Sequence, residues 1–327
     1  MRAANLAIAV VSILAVLVGV EVFVRSQIDS SPPQQIYPSK ETRKVEGGRV
    51  FCPDPEVTRP YFESRKRYPG CVFYPRNNVG SRNLFDVHAD AQPRFRIVGL
   101  GDSMVYGYGV DHEDTFLYRL HESLTARLGS ERIEVINSAR PGDDLDDAYQ
   151  LLRGHVLPLE PDLIILGLHL NDFLVFPTQL IRTTYDTPIR EYFHLLDLLL
   201  SRWELKASGD LNEKEILASY DDESKARLFR QLRAFAATLA KRDIPLLVLI
   251  FPLFVDLDEY SFRHIHREIG EFMTAERIDY FDFLRDFSEG GDDTYWITLD
   301  DQHPNERAHQ VFFERVSGYL DEHLGPG

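Results

Sequence analysis

Hydrophobic and polar residues alternate in three regimes along this chain. From Ala3 to Val20 only Asn5 and Ser12 interrupt an apolar run that carries no charge. Val22, Phe23 and Val24, beyond Glu21, extend it to about 22 residues, against the ~20 that a bilayer-spanning helix needs. Arg2 precedes the run and Arg25 follows it. The pattern predicts a transmembrane anchor over residues 1–25, with an uncleaved or cleaved signal peptide and a buried helix as alternatives. The run is longer than a usual signal core, and no A-x-A cleavage site follows it. Residues 26–93 lose any period. Pro32, Pro33, Pro38, Pro53, Pro55, Pro60, Pro69 and Pro75 rule out long helices there, so the segment reads as a Pro-rich linker and lead-in.

From residue 94 onward short apolar runs alternate with stretches of helical period. Arg96 to Leu100 predicts a buried strand. A helix capped by Asp114 follows, with Leu117, Leu120, Leu124 and Leu128 on one face and Gly129 as its stop. Ile133 to Ile136 predicts a second strand and Asp146 to Val156 a second helix, ending before Pro158. Leu163 to Leu168 is continuously apolar, as parallel sheets require. Asp222 to Lys241 forms a long helix with Leu228, Leu232, Phe235 and Leu239 inward. Leu246 to Phe251, a helix around Phe262 to Met273, a strand over Ile278 to Phe281 and a last helix from near Asn305 complete the series. Five β–α units in sequence predict a three-layer α/β/α sandwich around a five-stranded parallel sheet of flavodoxin-like type. Domain boundaries follow as 1–25, 26–93 and 94–327, with an insertion over 173–219.

Composition narrows the function classes. The 327 residues are 44% hydrophobic, enough for a large core. Lys and Arg number 36 against 52 Asp and Glu, a net charge of −16, which argues against a nucleic-acid binder. Two cysteines, Cys52 and Cys71, support at most one disulfide and no Cys₄ zinc site. They read either as a bridge in an oxidising compartment or as buried thiols.

Polar residues cluster at the predicted strand ends, where open parallel sheets carry their chemistry. Gly101-Asp102-Ser103 follows the first strand, Asn137 to Gly142 the second and His169-Leu170-Asn171-Asp172 the third. Asp300-Asp301-Gln302-His303-Pro304 precedes the last helix. A serine hydroxyl needs an adjacent base to act as a nucleophile. These four ordered blocks resemble the SGNH (GDSL) hydrolase superfamily over residues 94 to 324, and Ser103 stands in its nucleophile position. Asp300 and His303 match its Asp-x-x-His block. The resemblance implies an SGNH hydrolase fold and a catalytic set of Ser103, Asp300 and His303. It further implies an oxyanion hole from the Ser103 and Gly142 N–H groups and the Asn171 amide. Two positions depart from the family pattern: His169 and Ala139 stand where glycine is common.

Physical chemistry agrees with these roles. His303 can take the serine proton, and Asp300 can hold the imidazole in register and stabilise its cation. A glycine at 142 lets the backbone approach substrate closely. His264 and His266, at i and i+2 on a helix, point to different faces and do not read as metal ligands. No G-x-G-x-x-G opens a helix, so Gly99, Gly101, Gly107 and Gly109 do not make a dinucleotide site.

The expected activity is therefore a serine esterase acting on an O-acylated small molecule, glycan or lipid, with no metal or organic cofactor and no nucleic-acid partner. The alternatives are an O-acyltransferase acting on a cell-surface polysaccharide and a catalytically silent envelope scaffold subunit. Arg25, Lys40, Arg43 and Lys44 lie after the apolar run, so the positive-inside count does not favour an external body. Gly80-Ser81-Arg82 and Val110 to Thr115, however, are similar to bacterial membrane-anchored members that act outside the cytoplasm. That likeness implies an extracytoplasmic catalytic domain. The insertion reads as an extra packed helix or as a lid over the site.

Overall fold

The structure is a computed structural model. It describes residues 16, 18–20, 43–45, 48–51, 72–88, 95–129, 133–170, 214, 216–287, 292–298 and 301–324. Two compact units are present, Met1–Gln35 with Phe176–Asn212, and Ile36–Val175 with Glu213–Gly327. In the first, the described residues 16 and 18–20 are helical. The rest of the apolar N-terminal run, Cys52, Cys71 and most of the 173–219 insertion lie outside the described residues. Among the described residues no helix is long and apolar enough to cross a membrane.

The second unit contains the sheet that the sequence predicts. Strands β1 (Arg43–Val45), β2 (Gly48–Phe51) and β3 (Val72–Pro75) form a small antiparallel sheet. Then come β4 (Phe95–Leu100), β5 (Ile133–Asn137), β6 (Leu163–His169), β7 (Leu246–Phe251) and β8 (Asp279–Asp282). These five pair in parallel in the order β5-β4-β6-β7-β8, the flavodoxin-like arrangement. The chain steps from β4 to one side and then returns to the other, which opens a crevice at the carboxyl ends of β4 and β6. A last antiparallel ribbon joins β9 (Trp296–Thr298) to β10 (Asp301–Pro304).

The helices that accompany the strands include α1 (Ser103–Tyr106), α2 (Phe116–Leu128), α3 (Leu145–Leu151), α4 (Asp222–Ala240), α5 (Arg263–Glu276) and α6 (Glu306–Leu324). Helices α2 and α6 meet through the edge-on Phe116 and Phe312 rings. Tyr149 of α3 packs on Phe235 of α4, and Phe229 of α4 stacks on Phe272 of α5 at 4.2 Å. These two groups cover the two faces of the sheet. All six residues of β7 are buried, so its unbroken apolar run needs cover on both sides. A charged pair is buried between the first two parallel strands: the β4–β5 register sets Arg96 opposite Glu134, and they form a 2.7 Å ion pair.

Two predicted boundaries move. Thr115, not Asp114, is the cap residue of α2, because Asp111 caps a short 3-10 turn over His112–Asp114. Asp114 pairs instead with Arg119 at 3.0 Å. The second helix starts at Leu145 under an Asp144–Asp147 capping box and leaves α-geometry at Leu152. From there a wide π turn runs to Val156. Pro158, which has no N–H to donate, lies in the turn that follows.

Burial holds His112 and His309 neutral, lowering each pKa to about 3, with the Arg82 guanidinium adding to the effect. Unfolded imidazoles take up a proton near pH 6.5, so below that pH the folded state binds fewer protons than the unfolded one. Stability is thus lost as pH falls from about 6.5 towards 3, by at most ~1.4 kcal/mol per pH unit for each group. Thermal unfolding should give a lower Tm at pH 5 than at pH 7. The drop should be smaller in His309→Leu by one imidazole's share, and equal drops would contradict neutral burial of His309.

Candidate active site

Ser103 is the first residue of a single helical turn at the end of β4. Asp102 caps that turn, its Oδ1 accepting the Met104 N–H at 2.9 Å. Gly107 closes it in the left-handed region and donates to the Ser103 carbonyl. Gly101 has φ +141, and a Cβ there would lie 2.8 Å from the Val105 side chain and 3.3 Å from the Gly167 backbone. The turn therefore rests directly on β6. Its hydroxyl-bearing residue is only partly buried.

The loop after β5 is laced to this turn by the main chain. Ser138 N–H donates to Gly99 O at 2.9 Å and Arg140 N–H to Gly101 O at 3.0 Å, continuing the β4–β5 ladder beyond both strands. Asp143 N–H then donates to Arg140 O at 3.1 Å. Pro141 and Gly142 occupy the two central positions of that turn, and Gly142 has φ +88, as a type II turn demands. No atom comes within 4 Å of the Cβ that Gly142 lacks, so its open side faces unfilled space. Burial raises the Asp143 carboxyl above the usual range, and nearby Asp147, Asp144 and Asp102 push the same way against Arg140.

His303 arrives on β10. Between the Asp301–Thr298 and Pro304–Trp296 partners, β10 advances three residues while β9 advances two. This irregularity contains His303, and bulges of this kind re-aim side chains. His303 Nε2 lies 2.9 Å from Ser103 Oγ. The Tyr108 ring sits beside the imidazole, 4.9 Å between centroids and tilted 45°. Asn305 fixes the ribbon from the other end. Its Nδ2 donates to Thr294 O and Trp296 O, both at 2.9 Å, and its Oδ1 accepts from Arg307 and Ala308 as α6 begins.

Of the predicted site residues, the structure brings Ser103 and His303 into hydrogen-bond contact and ties the Gly142 loop to the Ser103 turn. Asp300 and Asn171 lie outside the described residues. His169, the departure from glycine, ends β6 with its Nδ1 3.5 Å from Asp102 Oδ2. It contacts the cap of the nucleophile turn. Ala139 is buried and donates its N–H to Asn137 Oδ1 at 3.3 Å. His264 is half-buried beside the Tyr220 ring, whereas His266 is buried against Asp282, so the two do face apart.

Sequence reasoning missed three contributors. Arg82, noted only as part of a lead-in motif, is buried and donates to the carbonyls of Tyr106, Gly107, Val110 and Phe73 at 2.6 to 3.1 Å. Its guanidinium also lies over the Tyr74 and Tyr106 rings. Tyr108 and Asn305 are the others. Only Asn305 had a readable signal, an amide just before a helix.

A nucleophile turn, a nearby open glycine loop and an imidazole within hydrogen-bond reach of a serine suit acyl transfer. No curated protein sequence matches the chain. Similar solved structures include TesA, at 16% identity with TM-score 0.48, covering 69% of this chain and 98% of that one. The acetyl xylan esterase AlAXEase is 16% identical with TM-score 0.46, covering 69% and 100%. A catalytic mutant of Axe2, an acetylxylan esterase from Geobacillus stearothermophilus, is 14% identical with TM-score 0.44, covering 71% and 95%. Residues 100–311, from the last residue of β4 into α6, match the model of the GDSL-like Lipase/Acylhydrolase family. That stretch is more than half of the chain and includes Ser103, Gly142 and His303, and the chain belongs to the GDSL-like lipase/acylhydrolase family.

Proposed function

We propose that the protein is a serine esterase that hydrolyses an O-acyl ester, a short acyl group on a carbohydrate or lipid, through an acyl-serine intermediate. The observation that carries this reading is the 2.9 Å contact between His303 Nε2 and Ser103 Oγ. For Nε2 to accept, the ring proton must sit on Nδ1, and in this reading Asp300, from the block that resembles the family's Asp-x-x-His motif, accepts it.

Ser103 Oγ attacks the ester carbonyl while its proton passes to Nε2. The carbonyl electron pair moves to oxygen, and the oxyanion is held by the Ser103 and Gly142 N–H groups and the Asn171 amide. Collapse breaks the bond to the alcohol oxygen, which leaves with the proton from Nε2. Water then gives a proton to Nε2 and attacks the acyl-serine, releasing the acid and restoring Ser103. The Tyr108 ring beside His303 supplies a π-face to the imidazolium that forms in between. The scheme calls for no metal or organic cofactor. In this reading residues 1–25 anchor the chain in a membrane, and the catalytic domain is extracytoplasmic, periplasmic or at the cell surface.

A fluorophosphonate probe should label the protein at Ser103 and nowhere else. Ser103→Ala and His303→Ala should each lose at least ~10³-fold in kcat, and the double variant should lose little more, because the two act as one unit. Labelling of Ser103→Ala at another serine would redirect the assignment.

Hydrolysis and transfer share the acyl-serine and differ in what attacks it. Given an activated acetyl ester with and without oligosaccharide acceptors, the protein should release mainly free acetate. Acceptor-dependent turnover with acetylated sugar as the main product would make it an O-acyltransferase instead.

Membrane attachment is tested by fractionation. The full chain should sediment with membranes and resist carbonate extraction, while residues 26–327 should stay in the supernatant. A full-length protein that carbonate releases would remove the anchor from this reading.

A further inference from the structure

Apart from Ser103 and His303, the unit contains a second ordered line of polar side chains that the reaction scheme does not use. His266 lies on α5 with its side chain 1% exposed, and its Nδ1 is 2.7 Å from Asp282 Oδ1 at the end of β8. Its Nε2 is 3.2 Å from the Tyr260 hydroxyl, and that oxygen is 2.9 Å from the Leu253 N–H. The Leu284 N–H also points at Asp282 Oδ1, at 3.0 Å.

With a neutral imidazole and an ionised carboxylate, one proton arrangement satisfies every member. A carboxylate only accepts, so Asp282 takes the Nδ1–H of His266 and the N–H of Leu284. That leaves Nε2 as an acceptor, which fixes the Tyr260 O–H as its donor. Tyr260 Oη in turn accepts from Leu253. Burial pushes the Tyr260 hydroxyl's pKa upward, keeping the donor protonated. A line so fully committed gives the Leu253 segment a single position.

What that segment touches gives the line its use. The next residue, Phe254, offers its carbonyl to the Trp296 indole N–H at 2.6 Å. Trp296 lies opposite Pro304 across the β9–β10 ribbon, and its own carbonyl accepts from Asn305 Nδ2. His303, between Asp301 and Pro304, is carried by that ribbon to Ser103. The ribbon is two short strands with an irregular register, so it depends on outside fixings for its precision.

We propose that Asp282, His266 and Tyr260 are positioning residues for the base His303, acting through the Leu253–Phe254 segment and the Trp296 indole. This rests on the esterase reading above, since it assumes that His303 is the base. The line orders the base without touching substrate. A loss here therefore lowers turnover and leaves substrate affinity unchanged.

The test uses the full chain, with p-nitrophenyl acetate turnover, the rate of fluorophosphonate labelling at Ser103 and the indole ¹H–¹⁵N resonance of Trp296. Tyr260→Phe keeps the ring and removes the hydroxyl; Trp296→Phe cuts the far end. Each should lower kcat and the labelling rate about 10-fold, with KM within about twofold, since small misplacements of catalytic groups cost rate. The double variant should lose no more than the worse single, and the Trp296 resonance should shift in Tyr260→Phe. Phe229→Leu, which loosens the α4–α5 contact elsewhere, should lower Tm and leave kcat unchanged.

Wild-type kcat in a folded Tyr260→Phe would overturn the proposal, as would losses that multiply in the double variant. An equal kcat loss in Phe229→Leu would also overturn it, by reducing the effect to general loosening. If Tyr260→Phe does not fold, Trp296→Phe decides alone, and full activity there overturns the proposal. A wild-type protein that no probe labels at Ser103 brings down the esterase reading and this inference with it. Labelled wild type with unimpaired variants overturns the inference only.

Discussion

Val105 reaches into the space that a Cβ on Gly101 or Gly167 would occupy, 2.8 Å from the first and 2.2 Å from the second. Because both positions lack that atom, the turn after β4 lies flat on β6 and points its first residue, Ser103, out of the sheet edge. The neighbouring loop and strand end are set relative to this turn. The β5 loop is hydrogen-bonded to Gly99 and Gly101, and His169 at the end of β6 faces the Asp102 cap. Interiors are packed at crystal density, so such a contact leaves little room for a second arrangement.

The reverse side of the turn is fixed by charge. Burying a guanidinium costs several kcal/mol unless its donors are met. Arg82 meets four carbonyls, three of them in the chain that runs from Tyr106 to Val110, and lies over two tyrosine rings. Asn83 adds a paired contact to β5, accepting from Asn137 N–H and donating to Val135 O. The lead-in segment thus clamps the nucleophile turn and its neighbour strand from outside the sheet. Asn137 closes the arrangement by donating to the Val105 and Tyr106 carbonyls.

His303 comes from a different part of the fold and is held differently. Nothing in the parallel sheet carries His303; a two-stranded ribbon does, pinned at one end by the Asn305 amide and at the side by the Trp296 indole. A site split this way combines a serine on a closely packed turn with an imidazole on a lighter support. Under the esterase reading proposed above, such a support suits a base that serves the serine, the leaving alcohol and the incoming water in turn.

Much of this was legible in the chain. Unbroken apolar runs such as Leu163 to Leu168 and Leu246 to Phe251 read as buried strands, and five short strand patterns separated by helical stretches admit few topologies. Ser103, Gly142 and His303 could be read as site residues because turn chemistry and strand ends mark them locally. Residue spacing could not reveal Arg82, Tyr108 or the Tyr260–His266–Asp282 line, whose partners belong to different elements and follow no helical or strand period. A buried arginine and a surface arginine look the same in a sequence; only the carbonyls that surround Arg82 decide between them. Likewise, the helix boundary at Thr115 and the departure from α-geometry at Leu152 follow from competition among neighbouring caps and Pro158. The sequence determined the sheet, its order of elements and the two polar residues, Ser103 and His303, that the fold brings together, because those depend on local period and local turns. The tertiary structure decided what holds that pair at 2.9 Å, because the fixing groups become neighbours only when the chain has folded.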